Sequence, residues 1–227
     1  VIAHLGVVIP ARDEEELIGR CLAGVLAARA AVGVRVTVVV VADGCRDRTV
    51  EIARTAGVEV LEVDASNVGV ARAEGVEHVL AAGADWIACT DADSVVPSNW
   101  LTEQLRLSET ADLVLGTVRP DPAELGSAQA AAWERSRADA DRDRVYGASL
   151  GIRASAYRQV GGFRALAEHE DVDLVGRLRA AGARSVVTAA AEVVTSGRLV
   201  GRTPGGFARF LRDDLHAAFG TADLGAG

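Results

Sequence analysis

The 227-residue sequence predicts an α/β fold: an open, mostly parallel, Rossmann-like sheet flanked by helices, with a smaller part at the C-terminal end. Three observations predict it. Apolar strand-like runs alternate with amphipathic helical ones through the first half, the pattern of repeated strand–helix–strand units with right-handed crossovers. Val34–Ala42 is β-branched and almost wholly apolar, as a strand must be when helices cover both faces of its sheet. Polar segments at Pro10–Glu14, Asp43–Cys45, Ser66–Asn67 and Asp91–Asp93 follow predicted strands and so gather at the strand C-terminal edge, where open α/β sheets bind ligands.

The first strand is Leu5–Pro10, whose Gly-Val-Val-Ile core runs into a polar turn. From Glu15 to about Ala31, Leu17, Ile18, Cys21, Leu22, Val25 and Leu26 keep the i, i+3/i+4 spacing of one buried helical face, which ends near Gly33. The central strand Val34–Ala42 comes next. Asp47 caps a helix that runs to Ala56 and stops at Gly57, and Val58–Asp64 is a short strand. Asn67 caps a helix reaching about Ala82, Trp86–Thr90 is a fourth strand, Ser98 or Asn99 opens another helix, and Asp112–Val118 is a fifth strand.

Arg119–Arg144, rich in Ala, Arg and Asp with little apolar content besides Leu125 and Trp133, reads as a helical, mobile insertion. Beyond it come a Gly-rich strand at Gly147–Arg153, a short helix around Ala154–Val160, a Gly161-Gly162-Phe163 turn, a helix from about Asp171 to Ala181, and strands near Ser185–Thr188 and Val193–Thr195. A last helix starting in Thr203–Phe207 sets Ala208, Phe210, Leu211, Leu215 and Phe219 on one side; core packing accounts for it, and closing the site or touching a membrane or partner are the other readings. No fixed-period repeat is present, so the chain reads as one domain with a first half (1–118), a variable insertion (119–146) and a second half (147–227).

The formal net charge of −8 argues against a nucleic-acid binder that relies on broad phosphate neutralisation. Cys21, Cys45 and Cys89 form no CxxC pair, which disfavours a zinc ribbon or disulfide framework and fits a reducing cytoplasm. No apolar run approaches the roughly 18 residues of a membrane span. The chain begins at Val1 and has no Met, which reads as a processed or truncated start, and its Ala, Gly and Arg content suggests a bacterial source with a GC-rich genome.

Asp91-Ala92-Asp93 follows the strand Trp86–Thr90, so both carboxylates emerge at the ligand-binding edge. Two hard oxygen ligands can hold Mg2+ or Mn2+ and let the ion bridge a diphosphate. Alone, the triplet reads more readily as an ordinary acidic loop; the strand before it and the motifs around it reverse this and favour the metal reading.

Val7-Val8-Ile9-Pro10-Ala11-Arg12-Asp13-Glu14-Glu15, then Val41-Ala42-Asp43-Gly44-Cys45-Arg46-Asp47, then Asp91-Ala92-Asp93 resemble, in order and spacing, the family 2 glycosyltransferases of the GT-A fold, over residues 5 to about 200. The resemblance implies that Pro10, Ala11, Arg12, Glu14 and Asp43 hold the base and ribose of a nucleoside-diphosphate sugar, and that Asp91, Ala92 and Asp93 meet the nucleotide sugar, Asp91 and Asp93 with the metal. The family's usual second-strand ending has two successive acids; here the first is Ala42, leaving Asp43 to accept from a base imide N–H, with a plain Asp43-Gly44 turn as the alternative. Asn67-Val68-Gly69-Val70-Ala71-Arg72 resembles the start of the family's third helix, which implies that Arg72 neutralises pyrophosphate unless it is only a surface arginine.

In the second half, Gly147–Arg153 with Tyr157 and Gly161-Gly162-Phe163 resembles the acceptor-side segment and implies acceptor contact at Gly151; glycines that only satisfy backbone geometry are the alternative. Glu170-Asp171-Val172-Asp173-Leu174 resembles the acidic acceptor motif, with Asp171 as general base and Glu170 beside the acceptor, against a role in helix N-terminal charge complementarity. His169 is read as a surface or hydrogen-bonded residue rather than a ligand. Family members often carry a late metal- or phosphate-binding His, but Val194-Thr195-Ser196-Gly197-Arg198 has none, and Arg198 or Arg202 is read as contacting phosphate instead.

The resemblance therefore implies a cytoplasmic hexosyltransferase-like enzyme that uses Mn2+ or Mg2+ to move a sugar from a UDP- or GDP-linked donor to an acceptor hydroxyl, with inversion. Residues 1–118 are then the nucleotide-sugar half and 147–227 the acceptor half. Peripheral association with the inner membrane face is the alternative address. Two rivals stand beside this: a catalytically degenerate nucleotide-sugar-binding domain, and a sugar-phosphate nucleotidyltransferase, which needs a Gly-rich basic loop where this chain has Asp13-Glu14-Glu15-Glu16. No GxGxxG follows an early strand, which disfavours a NAD-dependent oxidoreductase.

Overall fold

β1 (His4–Ala11) is buried along its whole length and lies parallel between β2 (Arg35–Asp43) and β4 (Trp86–Cys89). The structure, a computed structural model, describes residues 1–140, 145–166, 168–201 and 206–214. Along β1 and β2 the side chains alternate between two cores. Leu5, Val7, Ile9, Val38 and Val40 pack with Ile18, Cys21, Leu22 and Val25 of α1 (Ile18–Ala30), whereas Val8, Val39 and Val41 pack with Ala71, Val76 and Val79 of α3 (Val68–Ala81). Both faces of the sheet are covered, which is why these strands read as continuous apolar runs rather than alternating ones.

The eight strands run in the order β3-β2-β1-β4-β7-β6-β8-β5, where β3 is Glu59–Val63, β5 Ser94–Val95, β6 Leu113–Pro120, β7 Leu150–Arg153 and β8 Ser185–Thr195. The β3-β2-β1-β4 half is parallel, as expected. The other half is mixed: β7 is antiparallel to both β4 and β6, β8 is parallel to β6, and β5 is antiparallel to β8. The two late strands expected at 185–188 and 193–195 are one strand, with a register irregularity opposite Gly116–Val118. The remaining helices are α2 (Thr49–Thr55), α4 (Trp100–Leu107), α5 (Ser127–Ala140), α6 (Ala154–Gln159), α7 (Glu170–Ala180) and the turn α8 (Phe207–Arg209), which continues as a π-helix over Phe210–Asp214.

α1 starts at Ile18 rather than Glu15, after a turn closed by Leu17 N–H donating to the Glu14 carbonyl at 3.0 Å. Asp47 serves α2 from just outside it, accepting from Thr49 N–H at 2.9 Å, and its other oxygen accepts from Glu15 N–H at 2.9 Å. Asn67 caps α3 as expected, accepting from Val70 N–H at 3.0 Å. The 119–146 insertion does contain a helix, α5, but its first residues belong to β6. Trp133 of α5 is buried and meets Phe207 edge-on, ring centroids 5.8 Å apart. Arg202, Leu215 and Phe219 lie outside the described residues. Among the described residues no helix is long and apolar enough to cross a membrane.

α3 approaches the sheet closely because two of its contacts involve glycine. A Cβ on Gly6 of β1 would lie 2.5 Å from Val79 Cβ, and a Cβ on Gly75 of α3 would lie 2.5 Å from Val8 Cγ1. Gly6→Ala and Gly75→Ala are therefore each expected to destabilise the fold by about 1–3 kcal/mol through overpacking. Gly176→Ala in α7, where an added methyl meets nothing within 4 Å, is expected to be neutral or stabilising by up to about 1 kcal/mol. Chemical denaturation of the three variants separates these outcomes.

Candidate donor and acceptor site

The loops at the C-terminal ends of β1, β2, β3 and β4 are fixed by side-chain-to-backbone bonds. Glu14 N–H donates to Thr49 Oγ1 at 2.8 Å, tying the first loop to α2. Asp43, the last residue of β2, is buried, and its Oδ1 accepts from Ala65 N–H (2.7 Å) and Ser66 N–H (2.8 Å) while Oδ2 accepts from Asn67 N–H (2.8 Å). The loop before α3 is thus wrapped around one carboxylate. Among the described residues three non-glycines occupy the left-handed region, Asp13 (φ 50°), Ser66 (φ 52°) and His169 (φ 61°), and each belongs to a loop that borders this site. Such conformations cost on the order of 1–3 kcal/mol each and collect where a loop must be held in one shape.

The Asp91–Asp93 loop is bridged to its surroundings by two arginines. Arg72 of α3, fully buried, donates from Nη2 to Asp91 Oδ1 at 2.5 Å and from Nη1 to Glu170 Oε1. Its guanidinium lies 5.8 Å from the Phe163 ring centroid, and Gly147 leaves the space it fills: any Cβ there would overlap the guanidinium. Arg198, beyond β8, donates to both oxygens of Glu14 (3.0 and 2.7 Å), and its Nη2 stands 2.9 Å from Asp93 Oδ2. Asp93 Oδ1 accepts longer bonds from Ser94 Oγ and Thr195 Oγ1, each 3.3 Å.

The acidic start of α7 divides its labour. Glu170 is buried against Arg72; burial raises its carboxyl and the arginine opposes the rise. Asp173 pairs with Arg177 (2.7 Å) and Arg164 (3.2 Å), which hold its carboxyl below the usual range. Asp171 lines the cleft, accepts from Gly147 N–H at 2.8 Å, and has no cationic partner among the described residues.

These groups surround one cleft of about 400 Å³. Its wall carries Glu14, Asp91, Asp93 and Glu170 against Arg72 and Arg198, so carboxylates outnumber their arginines. Burial, reinforced by Asp91, raises the Asp93 carboxyl above its ordinary value, with Arg198 opposing. A surplus of hard, negatively charged oxygens on one loop is the donor chemistry that Mg2+ or Mn2+ requires, and Asp91 and Asp93 fit such an ion.

The sequence profile of glycosyl transferase family 2 matches residues 6–159, more than half of the chain. The chain belongs to glycosyl transferase family 2. No curated protein sequence matches it significantly. Among solved structures, residues 1–349 of TarS from S. aureus in complex with UDP-GlcNAc is similar at a TM-score of 0.66 and 15% identity, over 97% of this chain and 68% of that one. The mannosyltransferase PcManGT from Pyrobaculum calidifontis, in complex with GDP-Man and Mn2+, is similar at 0.66 and 17% identity, over 93% and 69%. Against a longer TarS structure the values are 0.63 and 16%, and the chain spans 36% of that protein's length. These likenesses show the GT-A fold.

In this family 2 domain, Pro10, Ala11, Arg12, Glu14, Asp43, Arg72, Asp91, Ala92, Asp93, Glu170 and Asp171 all line the cleft. Gly151 does not. It sits within β7, opposite Ala88 and Val114, where a Cβ would press on Gln104 Oε1 at 2.5 Å and Trp86 Cζ2 at 2.9 Å; it is a packing glycine. Arg72 is likewise neither a surface residue nor directed to a free phosphate position, because both ends of its fork are taken by Asp91 and Glu170. Sequence reading missed Tyr146 in the aromatic wall of the cleft and put core packing ahead of closing the site for the helix of Phe207 and Phe210, the other two rings of that wall. The available signal was the scarcity of aromatic residues, 4% of the chain, which makes three in one cleft informative. Among the described residues one other set of ligand-type atoms converges, Asp13, Cys45 and Asp47. Its atoms already serve the turns: Asp13 accepts from Arg46 N–H, Asp47 from Thr49 and Glu15, and Cys45 Sγ donates to the Ala11 carbonyl.

Proposed function

We propose that this family 2 domain transfers a hexosyl group from a UDP- or GDP-linked donor to an acceptor hydroxyl, by a single in-line displacement that inverts the anomeric centre. The observation that carries the reading is the meeting, in one cleft, of the Asp91–Asp93 loop with an Asp171 carboxylate that forms no ion pair among the described residues. The nucleotide sugars held by TarS and PcManGT support the donor class.

Pro10, Ala11 and Arg12 form the wall for base and ribose. Asp43 has about four acceptor positions, of which three bind backbone N–H groups, leaving one for a base imide. A base without that donor would leave the position unpaired, and the rigid loop cannot adjust to it. Asp91 and Asp93 would hold Mn2+ or Mg2+, which supplies charge stabilisation to the departing diphosphate when bound. Asp171 takes the acceptor hydroxyl proton as the acceptor oxygen bonds to the anomeric carbon and the bond from that carbon to the diphosphate breaks. Gly147 N–H holds the carboxylate in place for this.

Calorimetric titration of UDP and of GDP, with and without Mn2+, tests the reading. One of the two is expected to bind with Mn2+, and Asp93→Ala to weaken that binding by about tenfold or more. Failure of both nucleotides to bind in every condition removes the reading; binding without any turnover of donor sugars turns it into the degenerate-domain alternative.

A further inference from the structure

Asp93 and Asp91 are both paired with arginine, but in different ways. Arg72 is enclosed and clamped between two carboxylates, so Asp91 keeps its partner. Arg198 is 28% exposed, and both ends of its fork are bound to one carboxylate, Glu14, so that the Asp93 contact is a single Nη2 shared with Glu14. The backbone that carries it is fixed, with Ser196 Oγ and Gly197 N–H bonded to Glu124 at 2.6 and 2.9 Å. The Nη2 contact with Asp93 can therefore be given up without moving the loop or breaking the Glu14 pair.

Resting on the reading above, we infer that Arg198 is a tethered counter-ion occupying the metal's place at Asp93, so that the divalent ion and the donor diphosphate bind cooperatively. The reasoning is electrostatic. A metal ion arriving alone must displace the Arg198 Nη2 from Asp93 and then sits beside a guanidinium that Glu14 still holds at the site. A diphosphate arriving alone confronts a wall in which carboxylates are already in surplus. Together they bring nearly balanced charge: the ion takes the Asp93 oxygen, and the freed Nη2 of Arg198 turns to a phosphate oxygen as a charge-assisted donor. Each ligand lowers the cost of the other, and linkage requires the effect to be reciprocal.

The test uses Mn2+ alone, followed by electron paramagnetic resonance, and then Mn2+ in the presence of saturating UDP or GDP. In the wild type the nucleotide is expected to raise Mn2+ affinity by about tenfold or more. Arg198→Gln is expected to bind Mn2+ alone about tenfold more tightly than wild type, with the nucleotide then changing Mn2+ affinity by less than about threefold. Arg198→Lys keeps a charge for Glu14 but lacks a fork that spans to Asp93, and is expected to shift the same way; it covers the case in which the Gln variant does not fold. Mn2+ affinity that is unchanged or weaker in the folded variants overturns the inference while nucleotide binding leaves the transferase reading standing. Absence of nucleotide binding in the wild type instead sinks that reading, and the cooperativity with it.

Discussion

Asp171→Asn is expected to lower kcat by about a thousandfold while leaving nucleotide affinity within about threefold of wild type. The amide keeps an oxygen to accept from Gly147 N–H, so the loop and α7 stay in register. What disappears is the capacity to take a proton. Neither neighbour can take over: Glu170 is committed to buried Arg72, and Asp173 to Arg177 and Arg164. Steady-state kinetics on any acceptor that is turned over, together with nucleotide titration of the same variant, checks the separation. Loss of nucleotide binding in proportion to kcat would instead make Asp171 a structural residue of the cleft.

Arg72→Met carries the largest expected cost to the fold, about 3–5 kcal/mol or roughly 10 °C in Tm. Methionine fills much of the channel beside Phe163 but strands Asp91 and Glu170 without a counter-charge. Adding Glu170→Met should restore part of the loss, because one of the two orphaned carboxylates is then gone; thermal denaturation of the four corners of this cycle measures the coupling. Strictly additive losses would mean that the ion pair contributes nothing beyond the packing of its stems.

Much of the parallel half was legible because each of its elements is local. Val34–Ala42 announces a strand covered on both faces, and Asn67 announces the helix it caps, since both signals sit within the segment they describe. Strand direction is not local. Leu150–Arg153 reads as a strand in either orientation, and only the long excursion of α5 brings it back antiparallel beside β4. β5, two residues long, has no periodicity to read, and β8 reads as two strands because residues 189–192 fall out of the ladder. At the site, the residue types were legible and their pairings were not. Arg72 meets Glu170 across 98 positions and Arg198 meets Glu14 across 184, so nothing nearby in sequence distinguishes a phosphate-binding arginine from one that holds the protein together. Gly151 shows the converse: a glycine in a suggestive motif whose small size is required by Trp86 and Gln104.

The Arg72 bridge also bears on how such domains can be recombined. One end of its fork meets Asp91 in the first half of the chain and the other meets Glu170 on the helix that presents Asp171. A chimera that takes residues 1–118 from this protein and the rest from a relative inherits a buried guanidinium whose partner lies in the donated piece. It will assemble only if that piece brings a carboxylate to the place of Glu170 and a glycine to the place of Gly147. C-terminal halves are thus exchangeable within the set of sequences that share this lock.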